Sequence, residues 1–350
     1  MERTGYVYDP LYLEHEYPGH PERPDRLRAI MALLEESGTL ARLARIESRD
    51  ATVDDLGLVH DSALVEHIRS LTPGERPIWL DADTYVSARS YEAALRAAGG
   101  VLAAVDAVME GAVDSAFCLV RPPGHHATPS QAMGFCLFNN VAIAAAHLLE
   151  RRGLARVAII DFDVHHGNGT QDIFYGDGRV LYFSTHQYPH YPGTGNWPDA
   201  GEGAGVGAII NVPLPAGAGD HQAVLAYREV CAPALRRFRP QFLLVSAGFD
   251  AHFADPLAQL LFSCHGYFGI ATLLKELADE LCGGRIAYAL EGGYDLEAIS
   301  WSVRACIDAL LGNPLAEDPL GPGPNVRGPD ISEVLTAVKR IHGLYSEDGK

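Results

Sequence analysis

The sequence predicts an α/β fold in which a central, mostly parallel multi-stranded sheet carries helices on both faces. Two observations lead there. Between about residues 115 and 311, short apolar runs alternate with longer amphipathic ones, the pattern of parallel strands joined by helical crossovers. Five of the runs also end abruptly in polar clusters, as strands do where they emerge at the ligand-binding edge of such a sheet. With 350 residues, 47% of them hydrophobic, the chain can bury one large core.

Taken in order, Tyr6 to Pro24 is rich in Tyr, His and Pro and reads as a loop, either plain surface or the rim of a pocket. An amphipathic helix follows from about Arg23 to Gly38. Arg42 to Ser48 reads as a short strand, and Thr52 to Leu58 and Ser62 to Leu71 as short helices, the second entered through Asp61 or Ser62. Pro73 to Pro77 is a turn. After Asp81, Asp83 and Thr84, a long Ala-rich helix runs from about Ala88 to Glu110 and stops at Gly111. Strands are then expected at 115–120, 156–161, 179–184, 207–212, 241–247 and 285–290, and helices at 139–152, 170–175, 220–238, 265–281 and 295–311. No internal repeat or long linker interrupts them, so residues 1–350 are read as one domain with a core of about 5–312. A Pro- and Gly-rich extension, 313–350, leads to a last amphipathic stretch at 331–342 that packs on the domain or on a neighbouring subunit.

The formal net charge of −18 argues against the basic stripe of a nucleic-acid-binding surface and biases the chain toward cationic partners. The opening MERTGYVYDP has neither the basic nor the apolar segment of a secretory signal. No apolar run approaches the ~18 residues of a spanning helix, so a soluble cytoplasmic protein with no membrane partner is expected. The six cysteines, Cys118, Cys136, Cys231, Cys264, Cys282 and Cys306, stand singly. Without a CxxC pair they read mostly as core residues rather than as a disulfide framework or a thiolate zinc site.

The chemistry concentrates in AIIDFDVHHGNGT at 158–170, where an apolar strand runs out into aspartates, histidines and glycines. Residues two apart in an extended chain face the same way, so Asp161, Asp163 and His165 are aimed at one place. Carboxylate oxygen with imidazole nitrogen suits zinc or another divalent transition metal better than calcium or magnesium. The plainer alternative makes the aspartates helix caps and the histidines loop filler. SAGFDAH at 246–252 offers Asp250 as a third ligand, although a lone Asp there would serve equally as a turn cap. Three protein ligands with one open position describe a catalytic site rather than a closed structural one. RPPGHHA at 121–127 sets His125 and His126 after a Pro-Pro-Gly bend that can bring both into one pocket. A neutral imidazole there can take a proton from water and later donate it to a leaving amine. Asp161 and Asn168 are candidate partners for the two rings, and because a charged Asp raises an imidazole pKa more than a neutral Asn, the two histidines should differ in basicity. EGGYDL at 291–296 puts Tyr294 beyond a Gly-Gly hinge, where its hydroxyl can meet a developing oxyanion, or simply pack. Together these groups spell a metal-assisted hydrolase.

The motifs HPERPDRLRAI, RPPGHHA, GFCLFNN, DFDVHHGNGTQ, PGTG, SAGFDAH and LEGGY, in this order, resemble those of the histone deacetylase superfamily, which includes bacterial acetylpolyamine amidohydrolases. The resemblance covers roughly residues 5–312. It implies the arginase/deacetylase fold, zinc on Asp163, His165 and Asp250, and hydrolysis of acyl-lysine or related small acylated amines, with acetylpolyamines as the alternative. Residue by residue it makes His126 the main general base and acid, His125 its electrostatic partner, and Tyr294 the group that polarises the amide carbonyl. It further implies structural potassium at Asp161, Asp163, His165, Ser184 and Thr185, and a second potassium at Phe174, Asp177 and Val180. Gly134, Phe135 and Tyr191 resemble the walls of an acyl-lysine tunnel, and Asp83 a rim residue that binds the substrate backbone or amine. Asn168 within HHGNGTQ resembles class II and bacterial members, and Tyr294 is the residue of the active enzymes. Leu257 stands where the polyamine-selective class has a glutamate, and an apolar side chain there cannot pair with a distant ammonium. A homo-oligomer remains open.

Two other classes fit less well. A binuclear manganese ureohydrolase, which shares the fold, needs further Asp and His ligands, whereas Asp163, His165 and Asp250 complete one site. A module that binds acylated ligands without turning them over would be marked by loss of a ligand, of His125 or His126, or of Tyr294, and all are present.

Overall fold

The computed structural model describes residues 3–74, 76–324 and 327–344, so the expected turn at 73–77 and the extension at 313–350 fall partly outside the described residues. In chain order the strands are β1 (Thr4–Val7), β2 (Ala44–Ile46), β3 (Ile78–Trp79), β4 (Tyr85–Val86), β5 (Ser115–Cys118), β6 (Val157–Asp161), β7 (Val180–Gln187), β8 (Ile209–Leu214), β9 (Leu243–Ala247) and β10 (Ile286–Leu290). β3 and β4 form a separate antiparallel hairpin. The other eight make one sheet in the order β2-β1-β5-β10-β9-β6-β7-β8, parallel at every pairing. The central strands read VAIID, LLVSA and IAYAL and are buried along their whole length. A parallel sheet covered on both faces requires such unbroken apolar runs.

The expected helices are present with ends shifted by a few residues, including Asp25–Glu36, Ser90–Met109, Asn140–Glu150, Cys264–Cys282 and Leu296–Leu310. No helix among the described residues is long and apolar enough to cross a membrane. The run expected at 220–238 is helical throughout but holds a π-turn at Tyr227–Cys231, followed by Ala232 and Pro233. Proline removes an N–H from the helical ladder, and a local change of pitch accommodates the loss.

Three expectations need correction. The segment from Tyr6 to Pro24 is not all loop, because Tyr6 and Val7 end β1, a strand paired on both sides, and Pro10–Glu14 forms a 3-10 helix. Four residues are too few for a periodic signal, and only pairing with β2 and β5 identifies them as a strand. The hairpin β3–β4 was equally silent in the sequence. β7 runs on to Gln187 rather than stopping at 184, so Ser184, Thr185 and His186 lie within the strand and not after it. In the tail, helix Ser332–His342 lies against β8, with Ile331, Leu335 and Val338 buried in the main core and Lys339 2.6 Å from Glu229.

A buried ion cluster ties the N-terminal segment to the sheet. Glu22 accepts hydrogen bonds from Arg26 (2.9 Å) and from both Nε and Nη2 of Arg121 (Nη2 at 2.7 Å), and all three side chains are shielded from solvent. Arg121 also donates to the carbonyls of Tyr12 and His15, so the chain before the first helix is fastened to the segment that leaves β5. Burial alone would raise the Glu22 pKa, but Arg121 and Arg26 outweigh it and hold the carboxyl down to about 2. The stability this contributes is therefore complete above the ordinary carboxyl pKa near 4.5 and is lost as pH falls through that value toward about 2. Glu22→Gln leaves two guanidiniums without their counter-charge and should cost about 3–5 kcal/mol. Denaturant midpoints of parent and variant at neutral pH and at about pH 3 check this, with the gap narrowing in acid.

Candidate active site

The polar clusters converge because of strand order. Segments 121–126, 291–294, 248–252 and 161–166 follow β5, β10, β9 and β6, which are consecutive in the sheet, and β7 with Ser184 comes next. All are parallel, so the clusters share one edge.

At its centre Asp163, His165 and Asp250 bring their ligand atoms within 4.8 Å of one another, one group of this kind among the described residues. His165 Nδ1 lies 3.2 Å from Asp163 and 3.1 Å from Asp250. Two buried carboxylates around one imidazole nitrogen form a donor set that fits zinc or a similar divalent transition metal, and a cation there relieves their mutual repulsion. Burial disfavours the charged His165 ring, yet hydrogen bonds to Asp163 and Asp250 raise its pKa to about 10. The second carboxylate oxygens hold backbone: Asp250 Oδ1 accepts from Val164 N–H (2.9 Å) and Asp163 Oδ2 from Gly292 N–H (2.8 Å). A Cβ at Gly292 would meet both carboxylates, so only glycine lets the chain pass this close.

His125 and His126 stand with ring centroids 4.0 Å apart and differ in their partners. His125 Nδ1 is 3.1 Å from Asp161 Oδ2, and His126 Nδ1 is 2.7 Å from Asn168 Oδ1. Against the penalty of burial, Asp163 and Asp161 raise His125 to about 10. His126 goes the other way, held well below its ordinary value by burial and then by His125 and His165. At neutral pH the first ring is therefore cationic and the second neutral. Its Nδ1–H is engaged by Asn168, which leaves Nε2 of His126 free to accept a proton.

Tyr294 closes the opposite side. Its ring stands edge-on to Phe135 at 5.8 Å with the Arg26 guanidinium 5.1 Å from its centroid. Burial and then Asp250 push its hydroxyl well above the ordinary pKa, so it stays protonated as a donor. Above the triad lies a cavity of about 230 Å³ lined by His125, His126, His165 and Tyr294 at its floor and by Gly134, Phe135, His190, Tyr191, Leu257 and Asp83 toward its mouth. Gly134 and Phe135 both have positive φ, 58° and 70°. A Cβ on Gly134 would stand 2.5 Å from the His126 ring, and Phe135, a non-glycine in the left-handed region, is held by a hydrogen bond from its N–H to Thr84 Oγ1 (3.1 Å).

The residues given to potassium fall in two places. Asp161 is paired across the sheet with Ser184, next to Thr185, beside Asp163 and His165. Phe174, Asp177 and Val180 share one turn, in which Asp177 N–H bonds the Phe174 carbonyl and the Asp177 carboxylate is taken by Arg179 (2.7 Å). Several residues at the site escaped the sequence reading. Glu291 is buried among Gly124 N–H (2.7 Å), His125 N–H (3.2 Å) and Ser246, its pKa pushed up to about 7 mainly by burial. Tyr182 donates to Asp161 (3.0 Å), and His190 stacks on His165 at 5.2 Å. Glu22 and Arg26, at i and i+4 of HPERPDR, carry the form of a surface ion pair, and their burial could not be read from that spacing.

A family model described as the histone deacetylase domain matches residues 20–310. The chain belongs to the histone deacetylase family. As a member it is a hydrolase acting on amide bonds. It is 39% identical to a probable deacetylase of Archaeoglobus fulgidus over 98% of both chains. It is 40% identical to the histone deacetylase-like amidohydrolase of Pseudomonas aeruginosa, over 86% of this chain and 80% of that one. With histone deacetylase 14, chloroplastic, of Arabidopsis thaliana the identity is 43% over 86% of this chain and 75% of the relative. The crystal structure of the HDA15 HD domain superposes with a TM-score of 0.88 at 38% identity, covering 97% of this chain and 94% of that one. The sheet and its helices are thus the arginase/deacetylase fold.

The contrast between the two histidines is testable. Asp161→Asn removes a charge from beside His125 and should lower its pKa, so that the ring loses its proton at a lower pH than in the parent, while His126 stays neutral. Imidazole NMR titrations of both proteins measure it directly.

Proposed function

We propose that the protein is a zinc-dependent amidohydrolase that removes acetyl or similar small acyl groups from lysine side chains or related amines. The observation that carries this is the buried Asp163, His165 and Asp250 triad, whose His165 lines the same cavity as His125, His126 and Tyr294. Zinc held by the triad would supply Lewis acidity, polarising the acyl carbonyl and lowering the pKa of water. His126 Nε2 takes a proton from the attacking water and returns it to the departing amine. Asn168 fixes the tautomer this requires. His125, kept protonated by Asp163 and Asp161, lends positive charge to the developing oxyanion, and Tyr294 donates a hydrogen bond to it. Phe135 and Tyr191 with Leu257 provide apolar walls for an aliphatic stem, and Asp83 at the mouth is an acceptor for a backbone amide or amine.

Acetylpolyamines are the second reading, favoured by Asp83 and by a net charge of −18, while Leu257 favours an apolar wall without an ammonium partner. We assign structural potassium to Asp161, Asp163, His165, Ser184 and Thr185 and to the turn of Phe174, Asp177 and Val180. Residues 1–350 are read as one catalytic domain, since the tail's Ile331, Leu335 and Val338 share the main core, and its place of work as the cytoplasm.

Acetate release from acetyl-lysine peptides, beside acetylated putrescine and spermidine, tests the proposal with zinc-loaded protein and His126→Ala as the blank. Turnover of peptides faster than polyamines is expected, and chelation should abolish it. Tyr294→Phe should lose roughly 100- to 1,000-fold in kcat with zinc still bound. A Phe variant as active as the parent removes Tyr294 from the mechanism, and no turnover of any substrate by zinc-loaded protein overturns the function.

A further inference from the structure

We infer that Asp255, which lies outside the ligands and the proton-transfer groups, is the positioning residue of Tyr294, an inference that rests on the role just proposed for that tyrosine. Asp255 sits five residues beyond Asp250 in the segment after β9, and its side chain is buried. Its Oδ2 accepts the N–H of Tyr294 at 2.6 Å and that of Asp295 at 3.1 Å, while Oδ1 accepts the N–H of Leu257 at 3.0 Å. One carboxylate thus joins the backbone of the oxyanion donor to the backbone of the cavity wall.

The need for such a clamp follows from the chain around it. Gly292 and Gly293 precede Tyr294, and Gly293 has φ 114°, a conformation that side-chain-bearing residues rarely adopt, so the direction in which the chain enters Tyr294 is set by its hydrogen bonds. The carbonyl of Gly293 is taken by Arg26 Nε (2.6 Å), and the N–H of Gly292 by Asp163. The Gly293 carbonyl lies in the same peptide plane as the Tyr294 N–H, so Arg26 and Asp255 grip that plane from its two edges, while the next plane, which carries the Asp295 N–H, is held by Asp255. Immediately after it, Asp295 caps helix Leu296–Leu310 through Ala298 N–H (2.8 Å). Asp255 Oδ2 therefore holds the amides on both sides of the Tyr294 Cα, between the glycine pair and the helix start, which fixes where the Cα–Cβ bond of Tyr294 points. An asparagine of the same shape offers one acceptor oxygen in place of two and turns an NH₂ toward amide donors.

Asp255→Asn should lower kcat on an acetyl-lysine peptide roughly ten- to a hundred-fold with KM changed less than about two-fold, because the donor is misplaced rather than the binding lost. Zinc content should stay at the parent level. In the Tyr294→Phe background the same substitution should cost less than about two-fold, since there is no hydroxyl left to position. A merely structural role would lower activity equally in both backgrounds, and that result, or a fully active single variant, overturns the inference. Hydrogen exchange of the 291–296 segment gives a readout independent of turnover: it should quicken in Asp255→Asn, and unchanged exchange also overturns the clamp. A parent protein that hydrolyses no acylated amine would sink the function above, with the clamp still decided by exchange. Should Asp255→Asn fail to fold, Asp255→Glu, which keeps the charge but moves the carboxylate by one methylene, carries the same pair of measurements with a smaller loss expected.

Discussion

Burying four carboxylates side by side is the constraint on which the rest of the structure depends. Asp161, Asp163, Asp250 and Glu291 all lie out of water at the carboxyl ends of central strands. An isolated carboxylate in such surroundings is prohibitively costly, and each survives only through hydrogen bonds and counter-charge. Asp161 has His125, Tyr182 and the Asp163 N–H; Glu291 has two backbone amides and Ser246. Asp163 and Asp250 share His165. Two imidazoles against three aspartates leave the balance negative even when both rings are protonated and Glu291 is neutral. The site therefore favours a bound cation on electrostatic grounds, apart from any resemblance to other proteins.

The same carboxylates hold the loops together. Asp250, after β9, bonds the Val164 amide after β6; Asp163, after β6, bonds the Gly292 amide after β10; and Glu291, at the end of β10, bonds the Gly124 and His125 amides after β5. Each link crosses from the end of one strand to the loop of another in the same sheet. Position of the reactive groups and shape of the loops are consequently one problem with one solution, the condition for holding catalytic groups to a fraction of an ångström. The glycines at 248 and 292 belong to it, because a side chain at either would occupy the space of a carboxylate.

What the sequence made legible follows from range. Strand–helix alternation and the grouping of Asp161, Asp163 and His165 are local patterns, and the shared rim follows from parallel strands alone. β1 and the C-terminal end of β7 are defined by partners distant in the chain, and the two-residue strands of the β3–β4 hairpin are too short to show a period, so no periodicity announces them. Glu22 and Arg26 have the spacing of a solvated helix pair and are distinguished only by Arg121, 99 residues from Glu22. Asp255, which precedes Pro256, has no local pattern around it that marks it out. Its amide partners at 294 and 295 become visible only when the segments after β9 and β10 are brought side by side.

The two ends of the cavity are built differently. Its floor is fixed several times over by buried carboxylates that bridge central strands. Its wall at Phe135 rests on a strained backbone, held through Thr84 by a turn in which Asp81 accepts the amides of Asp83 (3.0 Å) and Thr84 (2.6 Å), outside the main sheet. His20 packs edge-on against Phe135 at 4.7 Å and bonds the Asp83 carbonyl at 3.0 Å, which joins the N-terminal segment to the same wall. Replacing residues in that short hairpin perturbs local bonds and the aromatic contacts of Trp79 and Tyr85 with the N-terminal segment, whereas replacing one floor carboxylate unbalances charge and frees a neighbouring loop. Substrate preference can thus be altered at the mouth with the chemistry below left intact, an arrangement suited to one reaction applied to different acylated amines.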